Sequence, residues 1–160
     1  KTLCNGVRDA RWVEEKNLHL TLRYIGEVEE PELAYIMAAL SSVQVERFDL
    51  TLSGVGHFEL RGKIRSLWAG IQPCPALDVL QQRIDSVLAR HGIAPDGRKF
   101  SPHITLARLK QLPSTYVRDW LEGNSYFQSS SFVVEDFTLF DSYRGRSGAI
   151  YTPLQEFPLN

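Results

Sequence analysis

Residues 17–26 read NLHLTLRYIG and residues 101–110 read SPHITLARLK, two near-copies of one phrase in a chain with four histidines. Both alternate apolar and polar residues with period two, and no other feature constrains the fold as tightly. Side chains along a strand project to opposite faces in turn. The first phrase therefore predicts a strand over 18–25, with Leu18, Leu20, Leu22 and Tyr24 toward a core. His19, Thr21 and Arg23 occupy its other face. The second predicts a strand over 103–109, with Ile104 and Leu106 inward and His103 beside Thr105 outward. A wet strand face has no need of histidine, since threonine or lysine serves as well. Two histidines in matching His-x-Thr settings imply a shared chemical task.

The remaining pattern is mixed. Pro31 opens a helix at about 31–43, with Leu33, Ile36, Met37, Leu40 and Val43 on one face. Strands are expected at 47–53 and 64–71. A helix at 75–91 carries Leu77, Leu80, Ile84, Val87 and Leu88 at helical spacing and stops at Gly92. A short helix near 114–122, a long strand at 131–140 and a final extended AIYTPL follow. This order predicts an α+β fold, with each motif strand in its own half and two similar lobes facing each other. No linker-like segment divides the chain, so residues 1–160 are expected to form one domain.

Composition limits the partners. The 160 residues carry a net charge of −1, so no global positive field gathers nucleic acid. A polyanion must be held by local basic groups. No run approaches the eighteen or more apolar residues of a membrane helix, and no signal-peptide pattern opens the chain. Cys4 and Cys74 lack zinc-like spacing and read as reduced thiols of a cytoplasmic protein.

Two imidazoles and two hydroxyls suit one class of reaction. Free histidine titrates at about 6.5, so near neutrality one ring can be neutral while its partner is protonated. Across a groove, one could deprotonate an attacking water and the other protonate the departing oxygen. In-line displacement at phosphorus needs that two-sided arrangement. Thr21 and Thr105 would donate to the non-bridging oxygens. Two histidines without a carboxylate or third histidine in the same phrases make a poor metal site.

With RWV, NLHLTLRYIG, LWAGI, FSPHITLARL and YTPL in this order, the chain resembles the two-histidine (2H) phosphoesterases, specifically the bacterial 2′-5′ RNA ligase family of RNA 2′,3′-cyclic phosphodiesterases. The resemblance spans about Arg11 to Leu159. It implies a bilobal α+β fold with both motifs lining a central cleft. The implied activity is metal-independent opening of a terminal RNA 2′,3′-cyclic phosphate to a 2′-phosphate, with no cofactor. Reversible, ATP-independent 2′-5′ joining of RNA ends is an activity of some relatives. His19 matches the histidine that protonates the departing 3′ oxygen, and His103 the one that activates water. Thr21 and Thr105 match the phosphate-holding threonines. Arg108 matches a basic residue near the phosphate, but its parity is opposite to 103 and 105, so it reaches the site only if the strand ends or bulges first. Family members begin with a strand and helix that this sequence lacks before RWV, which would leave an unpaired sheet edge. The partners implied are RNA ends or nucleotides with a 2′,3′-cyclic phosphate, and neither a membrane nor a protein partner. A cytoplasmic monomer is expected.

Other residues take secondary roles. Arg23 has the parity to bind substrate. Phe100, Phe58 and Tyr151 could stack on the terminal base. The clusters Arg61/Lys63/Arg65, Arg98/Lys99 and Arg144/Arg146 offer local charge to an RNA backbone. His57 could be a loop residue at the cleft rim, without a companion threonine two positions on, and His91 reads as a helix-end cation. Trp12, Trp68 and Trp120 read as core. Two alternatives stay open: a metal-dependent phosphohydrolase, and a non-catalytic module that binds nucleotides or RNA ends.

Overall fold

A computed structural model describes residues 3–145 and 148–160; Arg146 of the third basic cluster lies outside them. The fold is α+β with antiparallel sheets. In chain order the elements are β1 (Arg11–Trp12), α1 (Glu30–Ser41), β2 (Phe48–Leu50), β3 (Leu52–Leu60), β4 (Lys63–Ile71), α2 (Pro75–Arg90), β5 (His103–Pro113), α3 (Arg118–Gly123), β6 (Phe132–Val134), β7 (Asp136–Gly145) and β8 (Gly148–Pro158). Short 3₁₀ turns occupy Glu15–Asn17 and Ser114–Tyr116.

The chain divides into two compact units. The first comprises Lys1–Thr21, Thr51–Gln72 and Ser101–Ser131. It holds a four-stranded sheet ordered β1-β5-β4-β3. One face of that sheet is core, built from Leu67, Ala69, Ala107 and Leu109 of the strands with Val117 and Trp120 beneath. Trp120 donates its indole N–H to the Leu3 carbonyl at 3.1 Å, which satisfies its buried polar atom. The second unit comprises Leu22–Leu50, Pro73–Phe100 and Phe132–Asn160. Its ribbons β2–β6 and β7–β8 and helices α1 and α2 enclose Ile36, Leu40, Leu80, Ile84, Leu88, Phe137 and Phe157. The stop at Gly92 is a Schellman motif. Gly92 takes φ +84°, and Ile93 and Gly92 donate to Leu88 and Ala89 carbonyls.

Several sequence expectations need correction. The run at 18–25 is not a continuous strand; it makes a single antiparallel bridge, Leu20 to Ile104. Its apolar residues serve two cores, Leu18 the first unit's and Leu22 and Ile25 the second's, while Tyr24 is exposed. A strand shared between two cores cannot stay in one sheet. For the same reason 47–53 splits into β2 and β3. The segment 131–140 divides into β6 and β7, which pair with different strands. GVGHFEL is not a loop but the body of β3, so His57 is a strand residue, paired with Leu67 and 3.8 Å from Glu59. The largest correction concerns the motifs. Both belong to the first unit, not one to each half. No helix among the described residues is long and apolar enough to cross a membrane.

Candidate active site

The edge of the four-stranded sheet explains how the motifs meet. β1 pairs antiparallel with β5 through Arg11–Arg108 and Trp12–Ala107, and Val13 N–H donates to the Leu106 carbonyl. The chain then leaves through the turn Glu15–Asn17 and returns to the same edge at Leu20, opposite Ile104. The first motif thus continues the edge strand that β1 begins.

Antiparallel register then sets a crossed arrangement. With Leu20 opposite Ile104, His19 stands opposite Thr105 and Thr21 opposite His103. Ile104 packs on the core, so these four residues share the face turned away from it. Residues directly opposite lie about 4.5–5.5 Å apart and diagonal neighbours about 7–8 Å. The two imidazoles therefore occupy diagonal corners and the two hydroxyls the others.

Each ring is held in the same way. His19 Nδ1 lies 2.8 Å from the Asn17 carbonyl and His103 Nδ1 lies 2.7 Å from the Ser101 carbonyl, two residues upstream in both cases. A carbonyl oxygen only accepts, so each Nδ1 carries a hydrogen and donates it. That settles the tautomer and assigns proton exchange to Nε2 in both rings.

The neighbours on this face follow from β4. Thr105 pairs with Trp68 and His103 with Gly70, so no side chain stands beside the second imidazole on that strand. Trp68, a core residue by sequence reading, is not one: Leu67 and Ala69 are core and Trp68 takes the opposite face. The alternation within LWAGI carries that signal. Its indole packs 6.1 Å from the His103 ring and 5.7 Å from Phe58, whose ring meets His103 edge-on at 4.9 Å. The Trp68 Nε1–H has no acceptor among the described residues.

Arg108 reaches this face because β5 bulges. Trp68 pairs with Thr105 while Leu67 pairs with Ala107, which leaves Leu106 as the extra residue. The bulge restores parity: Arg108 pairs with Ser66, on the same side of β4 as Trp68. The structure thus brings together His19, Thr21, His103, Thr105 and Arg108. Phe58, a stacking candidate from the sequence, lies beside His103, and the structure adds Trp68.

Arg23, Phe100 and Tyr151 belong to the second unit. Arg23, expected from its parity to bind substrate, is engaged within that unit. Its guanidinium, 5% exposed, lies 3.1 Å from Asp85, an ion pair by distance without hydrogen-bond alignment, and it donates to the Ala94 carbonyl. Phe100 is half-buried, and Tyr151 packs edge-on to Phe140 at 6.3 Å. In the Arg98/Lys99 cluster, Arg98 forks onto Asp96 at 2.7 and 3.0 Å, and that hydrogen bonding holds the Asp96 carboxyl below its usual range. Among the described residues no group of three or more His, Cys, Asp or Glu side chains gathers as metal ligands would.

Comparison with known proteins points the same way. The profile of the 2′-5′ RNA ligase superfamily matches residues 6–146. An RNA 2′,3′-cyclic phosphodiesterase from Aeropyrum pernix is 35% identical over 90% of this chain and 83% of its own. One from Thermotoga maritima is 32% identical over 92% of this chain and 78% of its own. The crystal structure of E. coli LigT complexed with 3′-AMP superposes with a TM-score of 0.80 at 31% identity, covering 99% of this chain and 86% of that one.

Proposed function

Because the chain belongs to the 2′-5′ RNA ligase superfamily, we propose that it is an RNA 2′,3′-cyclic phosphodiesterase that opens a terminal cyclic phosphate to a 2′-phosphate without a metal. The observation that carries this reading is the crossed pair of His–Thr units with both Nδ1 atoms committed to backbone carbonyls. His103 enters the step neutral and takes a proton from water at Nε2 as the water oxygen bonds to phosphorus. The P–O3′ bond breaks, and His19, entering as imidazolium, gives its Nε2 proton to the departing 3′ oxygen. Thr21 and Thr105 donate to the non-bridging oxygens, and Arg108 adds positive charge on the same face. The proton gained by His103 and that lost by His19 exchange with solvent, which closes the cycle.

If the 5′-hydroxyl of a second RNA end replaces water, the same step forms a 2′-5′ phosphodiester. No ATP is consumed, because the cyclic ester already supplies the activated phosphate. Ligation is thus a second outcome of one site.

The test is incubation of the protein in EDTA with a short RNA ending in a 2′,3′-cyclic phosphate, followed by identification of the terminal phosphate. A 2′-phosphate is expected. A 3′-phosphate would reverse the acid and base roles or the substrate's orientation, and an unchanged end would overturn the reading.

A further inference from the structure

The face that carries the two imidazoles does not end at Thr105. Past the bulge it continues along β5 through Arg108 and Lys110, and Arg11 stands directly across from Arg108 on the edge strand. Arg11 and Lys110 line one open recess of about 570 Å³, with Asp9 and Leu112. Like charges directly opposite on neighbouring strands destabilise a sheet, and Lys110 adds a third cation one diagonal step from Arg11. Neither Arg108 nor Lys110 forms an ion pair among the described residues. In a chain of net charge −1 this concentration of cations is local, not a reflection of overall charge.

Distance separates Lys110, unlike Arg108, from the chemistry. Lys110 lies five positions beyond Thr105, roughly 15 Å along a strand that rises about 3.3 Å per residue. A lysine there does not touch a phosphate held between His19 and His103.

We propose that Arg11 and Lys110 form a second phosphate subsite, which takes a phosphodiester of the RNA chain on the 5′ side of the reacting end. This rests on the reading of the imidazole pair as acting on 2′,3′-cyclic phosphate ends. A cyclic phosphate terminates the 3′ nucleotide, so every other phosphate of that strand lies 5′ of it. A cyclic mononucleotide without a 5′-phosphate has none to offer. The subsite therefore selects oligonucleotide ends over cyclic mononucleotides.

The experiment compares kcat/KM for 2′,3′-cyclic AMP and for a tetranucleotide RNA ending in a 2′,3′-cyclic phosphate, at about 50 and 200 mM salt. Wild-type protein is set beside Arg11→Gln/Lys110→Gln, with Arg11→Lys/Lys110→Arg as a charge-retaining control. Binding of the same tetranucleotide carrying a 2′-phosphate is followed by fluorescence anisotropy. The glutamine pair is expected to lower the tetranucleotide-to-mononucleotide ratio about tenfold and to flatten the salt slope by about 0.7 for each phosphate charge it no longer neutralises. The charge-retaining pair should keep both. Equal loss on the two substrates, or an unchanged tetranucleotide, would overturn the subsite. If wild-type protein turns over neither substrate, the proposed reaction fails instead. The subsite is then judged by anisotropy alone, where wild-type affinity and salt slope in the glutamine pair would sink it.

Discussion

Trp68 lies over Gly56 so closely that a β-carbon on Gly56 would come within 2.2 Å of the indole Cζ2. The two residues are register partners on β3 and β4, and the missing side chain is what lets the indole lie down beside His103. Gly56→Ala forces Trp68 to move, and Phe58 and His103 are what it moves against. Overpacking of this kind costs about 1–3 kcal/mol. The variant should melt earlier and lose turnover, as read by thermal denaturation and steady-state kinetics. A Gly56→Ala protein with wild-type melting and kcat would show that Trp68 does not position the second imidazole.

The crossed hydroxyls give a sharper kinetic expectation. Thr21 and Thr105 sit diagonally, each opposite the other motif's histidine, and are proposed to hold developing charge rather than ground-state substrate. Thr→Val keeps the strand-favouring shape and removes the donor. Each single replacement should lower kcat by about 10²–10³-fold with little change in KM. A rise in KM at constant kcat would make the threonines ground-state contacts instead.

Arg23 and Asp85 make a stability prediction. Removing one member of a buried ion pair strands the other charge, at a cost of about 3 kcal/mol. Asp85 keeps 30% of its side chain exposed, which blunts the loss on its side. Asp85→Leu, which strands the buried Arg23, should therefore destabilise more than Arg23→Met, and the double replacement less than Asp85→Leu alone. Urea denaturation of the three variants reads this ordering; a double variant as unstable as the sum of the singles would contradict it.

Much of this is legible in the sequence, for local reasons. The period-two echo exposes His19, Thr21, His103 and Thr105, because alternation needs no long-range knowledge. Gly92 declares the end of α2 in the same local way. Arg108 shows the limit: parity puts it on the wrong face, and only the extra residue at Leu106, visible through pairing with β4, turns it back. Trp68 reads as core because tryptophan's size outweighs its parity within LWAGI. The union of both motifs in one unit depends on the Leu20–Ile104 bridge, a contact across more than eighty residues that no local pattern encodes. Arg23 has the right alternation and the wrong neighbours. Its run leaves the sheet after Thr21, and Asp85 on α2 claims its charge.

The central claim is that His19 and His103 act as one unit on a single phosphoryl group. Single-turnover rates for His19→Ala, His103→Ala and the double variant, on an RNA 2′,3′-cyclic phosphate end in EDTA, test it most directly. Each single replacement should cost about 10²–10⁴-fold, and the double variant should fall little further, since groups that share one step are not additive. Full activity in His103→Ala, or losses that simply multiply in the double variant, would contradict the account.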